Sequence, residues 1–100
     1  MKIIYKAPGG HAREMVIPNE LAMFQELVGG PIEVVTIDSD TVMIVNEEGV
    51  LQNLAYNCEA WGVPVVGPII VCGYDEDKFT DCPITVQHFE RIACGQAVTG

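Results

Sequence analysis

Gly67-Pro68-Ile69-Ile70-Val71-Cys72-Gly73 is the stretch that decides the fold of this chain. Four consecutive apolar residues bounded by Pro and Gly read as a buried central strand. Ile32 to Ile37 and Thr41 to Val45 are β-branched runs joined by Asp38-Ser39-Asp40, a spacing that predicts a hairpin. Lys2 to Lys6 reads as a first strand stopped by Pro8-Gly9-Gly10, and Arg13 to Ile17 as a second.

Two helices complete the pattern. Leu21, Phe24, Leu27 and Val28 recur on one helical face. Before them, Asn19 is placed to cap the free amides and Glu20 to sit in the first turn. Gly29-Gly30 supplies a left-handed stop and Pro31 bars continuation. Near the end of the chain, Thr85 is placed to cap a helix from about Val86 to Cys94. Its apolar side is Val86, Phe89, Ile92 and Ala93, and Gly95 lies just past the expected end. Asn46-Glu47-Glu48-Gly49 reads as a turn, Val50 to Gly62 as mostly irregular, and Gly73 to Lys78 as an acidic surface loop. The expectation is one domain over residues 1–100, of α+β class: a mostly antiparallel sheet of four to five strands with two helices packed on one face.

Nearly half of the residues, 49%, are apolar, enough for a core without disulfides or a structural metal. No run approaches the roughly 18 apolar residues that span a bilayer. The segment before Pro8 is too short for the apolar centre of a signal peptide, so a cytoplasmic protein is expected. Cys58, Cys72, Cys82 and Cys94 stand 14, 10 and 12 residues apart, without the close pair of a zinc or redox motif. They read as buried thiols, and no metal or cofactor is expected.

Fourteen acidic residues against five basic ones give a net charge of −9, which opposes nucleic acid and anionic membrane as partners. Duplex DNA carries about 20 charges over roughly 34 Å. Fourteen carboxylates spread over every face fall short of that density, so the acidity reads as solubility rather than DNA mimicry.

Catalytic patterns find no support. Asp38 with Asp40, and Glu47 with Glu48, stand in turns where carboxylates bond nearby amides. Asp75, Glu76, Asp77 and Asp81 lack the alternation of a calcium loop. The only serine, Ser39, is in no nucleophile elbow, and neither Gly-Gly pair belongs to a phosphate loop. The expected role is binding, not catalysis. Asn46, Asn53 and Asn57, with Glu47 nearby, fall within a dozen residues of one another and close to Tyr56 and Trp61. Neutral amides beside aromatics suit a small polar ligand, although asparagines also simply suit turns. Arg13 and Arg91 would serve a phosphate-bearing ligand by charge-assisted bonds. As an exposed turn residue, Asn57 is expected to matter little for folding.

Leu27-Val28-Gly29-Gly30, Asn46-Glu47-Glu48-Gly49, the step from Leu54 to Asn57 and the strand from Gly67 to Gly73 together resemble a small-domain family of bacteriophages, plasmids and their hosts, domain of unknown function 3846. The resemblance covers about the middle half of the chain and implies no particular chemistry. A mobile-element setting implies proteins that blunt host defence, in one of two ways. The chain could be a sponge that sequesters a nucleotide-derived immune signal, usually as a homo-oligomer with pockets between subunits. Alternatively, it could be a protein inhibitor that covers a host defence protein. The Asn-rich segment inclines the reading to the sponge, and a two-fold homodimer is the simplest assembly.

Overall fold

The computed structural model of the chain describes the backbone of residues 1–98 and the side chains of residues 1–93. Its elements run β1 (Lys2–Lys6), β2 (Arg13–Val16), α1 (Leu21–Val28), β3 (Ile32–Thr36), β4 (Thr41–Asn46), β5 (Tyr56–Ala60), β6 (Val63–Val66), β7 (Ile69–Asp75), β8 (Lys78–Thr80) and α2 (Val86–Val98).

The apolar run chosen from sequence lies in β7, the centre of the main sheet. Along one edge β4 pairs with it, Ile44 opposite Ile70 and Thr41 opposite Gly73. The other edge is shared: β1 pairs with residues 69–71, and β8 takes over from Gly73 to Asp75. With β2 on β1 and β3 on β4, the order is β2-β1-β7-β4-β3, antiparallel at every pairing. Strands β5 and β6 form a separate two-stranded ribbon.

Alternation along the strands divides the core in two. Ile3, Val42, Ile44, Ile70 and Cys72 pack with Phe24 and Val28 of α1. Ile4, Met43, Val45, Ile69 and Val71 face the other way, onto Ala60 and Val65 of the ribbon and Phe89 and Ala93 of α2. The α+β class, the antiparallel sheet and the two helices are those implied by the sequence. The main sheet has six strands, however, and each helix takes its own face. The cause is visible in β4, whose six residues are all buried: a strand apolar at nearly every position has two faces to cover, not one.

Three local expectations change. Asn19 does not cap α1. The cap residue is Glu20, extended and without a side-chain cap bond, while Asn19 Nδ2 donates to the Phe79 carbonyl at 2.9 Å and ties the helix entry to β8. Gly29 is the left-handed stop, at φ 82°, and on the apolar face Phe24 and Val28 are buried while Leu21 stays 57% exposed. The segment read as irregular, Val50 to Gly62, contains β5 and the turn of the β5–β6 hairpin, where Trp61 and Gly62 stand at φ 50° and 77°, left-handed at both positions as in a type I′ turn. The segment read as an acidic loop is also a hairpin, turning at Glu76 and Asp77 (φ 49° and 65°). There the Tyr74 hydroxyl donates to the Asp77 carboxylate at 3.1 Å, which raises the phenol pKa. At the far helix, the His88 amide donates to Thr85 Oγ1 at 3.0 Å, the expected cap, but the helix continues through Gly95 to Val98.

Gly73 shows how tightly the strands meet at β7. A Cβ there would lie 2.5 Å from the Asp81 carbonyl oxygen and against Thr80 Oγ1. Gly73→Ala should therefore lower stability by about 1–3 kcal/mol, as overpacking does. An unchanged midpoint in urea unfolding would contradict the seating of β8 on β7.

Candidate functional site

On the face opposite α1, β3 and β4 turn Glu33, Val35, Met43 and Val45 toward the ribbon, with Glu33 opposite Val45 and Val35 opposite Met43. The ribbon covers only part of this surface. Between them lies a cleft of about 150 Å³, closed at its sides by Val63, Pro64 and Val66 of β6 and by the turn from Asn46 to Val50. Met43 is fully buried and forms the floor; Glu33, Glu47, Val50 and Pro64 are exposed at the rim. The cleft therefore has apolar walls and two carboxylates. Beside it, Val50 and Leu51 stand 80% and 87% exposed, and Tyr56, opposite Val66 in the ribbon, is 61% exposed.

Asn46 and Glu47, both expected at a site, are brought to this cleft. Glu47 projects to solvent from a backbone held by its amide on the Pro31 carbonyl at 2.8 Å. Asn46 is buried and already engaged. Its Nδ2 donates to the Val28 carbonyl at 3.1 Å and to Gln52 Oε1 at 3.3 Å, and its Oδ1 accepts from the Glu48 amide at 2.7 Å. It thereby satisfies one of the orphan carbonyls at the end of α1 and closes the following turn. The fit is close, since a Cβ on Gly30 would lie 2.9 Å from Asn46 Nδ2.

The other expected residues are placed apart. Asn53 is exposed at φ 57°, where asparagine is among the few residues that adopt a left-handed backbone readily. Asn57, half-buried on β5, donates from Nδ2 to the carbonyls of Lys6 at 2.9 Å and Gly67 at 2.8 Å. Its Oδ1 accepts from Lys6 Nζ at 2.7 Å. Arg13 lies on the α1 side of the sheet, its guanidinium 5.8 Å from the centroid of the Tyr5 ring, whereas Arg91 is exposed on α2, which covers the opposite face. The two arginines do not converge on the asparagines.

Lys6 was not singled out by sequence reasoning. Its side chain is only 7% exposed. The signal was the parity of β1, which places Lys6 on the same inward face as Ile4. Among the thiols, Cys72 and Cys82 are free and buried, and Cys58 is half-buried; the Cys94 side chain lies outside the described residues. Burial pushes the Cys72 thiol up to about 12, helped by Cys82 beside it. Among the described residues, no group of three His, Cys, Asp or Glu side chains could hold a metal ion, and no helix is long and apolar enough to cross a membrane.

The chain belongs to the family described as Domain of unknown function (DUF3846), whose sequence pattern matches residues 1–93. No curated protein and no solved structure matches it.

Two predictions follow from the geometry. Asn46→Ala and Asn57→Ala should each lower unfolding stability by about 1–3 kcal/mol, because buried carbonyls and amides lose their partners. Asn53→Gly should stay within about 0.5 kcal/mol, since glycine takes the left-handed turn freely. For Asn57 this corrects the expectation that an exposed turn residue is dispensable; chemical denaturation of the three variants checks it. Cys72, held as the neutral thiol far above pH 8, should resist iodoacetamide in the folded protein and react only on denaturation. Alkylation of Cys72 at the rate of a free thiol in native protein would contradict its burial.

Proposed function

We propose that this domain is a counter-defence binding protein of bacteriophage or plasmid type. It acts in the host cytoplasm and works by covering a host defence protein rather than by catalysis. The observation that carries this reading is the cleft between β3–β4 and β6. Its apolar walls, with Glu33 and Glu47 at the rim, match the side chain of a partner's Lys or Arg: the aliphatic stem lies along the valines and the cationic head meets the carboxylates. Val50, Leu51 and Tyr56 beside it add an exposed apolar rim of the kind that protein interfaces bury. The net charge of −9 draws a basic partner surface and speeds its docking.

Sequestration of a nucleotide-derived signal is less well supported by the same cleft. About 150 Å³ is half the lower end of the roughly 300–1,000 Å³ found in small-molecule pockets. Two rim carboxylates also repel phosphate. A sponge would need a pocket completed by a second copy of the chain.

Calorimetry separates the two. Short peptides carrying Arg or Lys between apolar residues should give saturable heat, and Glu33→Lys with Glu47→Lys should weaken binding at least tenfold. Mononucleotides, cyclic dinucleotides and ADP-ribose derivatives should not displace the peptides from the cleft. Saturable heat with a nucleotide and none with the peptides would replace inhibition by sequestration.

A further inference from the structure

Outside the residues that line the cleft, between β1 and β5, a largely buried lysine side chain meets a neutral partner. Lys6 is 7% exposed, and its ammonium donates to Asn57 Oδ1 at 2.7 Å. A lysine ammonium carries three donors, and among the described residues no other hydrogen bond and no ion pair serves this one. The chain has fourteen carboxylates for five cationic side chains, so a counter-charge was in ample supply, yet none is placed here. A lysine packed this closely with only a neutral acceptor has its charge uncompensated within the protein, and a bound anion would supply the missing counter-charge.

The acceptor is also fixed. Both N–H groups of Asn57 are committed, to the Lys6 carbonyl at 2.9 Å and the Gly67 carbonyl at 2.8 Å. A flipped amide would set its oxygen against those two carbonyls and its N–H groups against the ammonium, so the orientation is determined by the network. The clamp holds the lysine stem and backbone in one place and leaves the remaining ammonium donors pre-set. Such pre-organisation favours a bound anion over a mobile, fully solvated head group.

We infer that Lys6, held by Asn57, is an anion site for a single carboxylate or phosphate oxygen. One ammonium beside a neutral amide suits one oxyanion group and not a polyphosphate chain. The site is independent of the cleft, so it stands or falls separately from the inhibitor reading.

The test is titration of the full chain with sodium phosphate, sodium acetate and a nucleoside monophosphate, each against sodium chloride at equal ionic strength. Thermal unfolding is one readout, and the NMR signals of the Asn57 side-chain amide and the Lys6 ammonium are the other. Phosphate or acetate should raise Tm saturably and shift both signals in the wild-type protein. In Lys6→Met the affinity should fall at least tenfold, while Arg13→Met and Arg91→Met keep it. A preference for acetate assigns the site to a carboxylate, and a nucleoside monophosphate binding more than tenfold tighter than inorganic phosphate assigns it to a nucleotide. Equal Tm shifts in wild type and Lys6→Met would overturn the proposal. If Lys6→Met does not fold, wild-type Asn57 and Lys6 signals that stay unmoved through tens of millimolar phosphate and acetate would overturn it equally.

Discussion

The whole architecture depends on β7 being apolar on both faces and paired on both edges. Ile69 and Val71 point to one core, Ile70 and Cys72 to the other, and all four are fully buried. A strand in that position needs a cover on each side, and the chain supplies unlike ones: α1 on one face, the β5–β6 ribbon with α2 on the other. Fully burying an aliphatic side chain contributes about 1.5–3 kcal/mol, so this strand and β4 beside it hold much of the driving force in a few residues. The rest of the sheet is arranged around them.

The unlike covers explain where a cleft can form. A helix lays a continuous face over a sheet, and α1 does so with Phe24 and Val28. A two-stranded ribbon is narrower, and its outer strand β6 has a partner only on the β5 side. Pro64 there lacks an N–H to offer a further strand, which suits an edge. The gap between that edge and the sheet, floored by Met43, is the cleft. The cleft is thus a by-product of covering part of that face with a narrow ribbon.

Legibility from sequence followed the strength of periodicity. The residues 69–72 run, the β3–β4 hairpin, β1 and the Gly29 stop of α1 all carry apolar runs or turn residues whose physical meaning is local. The β5–β6 hairpin was hard to read although Tyr56-Asn57-Cys58-Glu59-Ala60 alternates, because the alternation is only five residues long, its pairing is irregular between Tyr56 and Cys58, and its turn is Trp61-Gly62, without the Asn-Gly or Asp-Gly signal. The β7–β8 turn was hidden by charge: Asp75, Glu76 and Asp77 look like solvated loop, yet the backbone pairs on either side of them. The division of the helices between two faces depends on long-range packing that no window of sequence contains. For the site, Asn46 and Glu47 were found together, but the role of the amides was not. Whether an asparagine faces a ligand or its own backbone is decided by residues far away in the chain, Lys6 being 51 positions from Asn57.

That distinction governs what is available for function. Asn46 and Asn57 commit every one of their hydrogen-bonding atoms to the fold, and Asn53 is there for its backbone angle. A bound molecule that recruited Asn46 or Asn57 would have to break bonds that hold α1 to β4 or β5 to β1, at a cost comparable to the gain. Groups without internal work are the ones free to recognise a partner. On the cleft face these are the exposed Glu33 and Glu47 side chains with Val50, Leu51 and Tyr56. Two acids set among aliphatic and aromatic surface have the complementarity that the proposed basic partner calls for, since lysine and arginine side chains join an aliphatic stem to a cationic head. The same reasoning marks Lys6 as the exception inside the core: its stem is buried by the fold, but two of its three donors are not used by it.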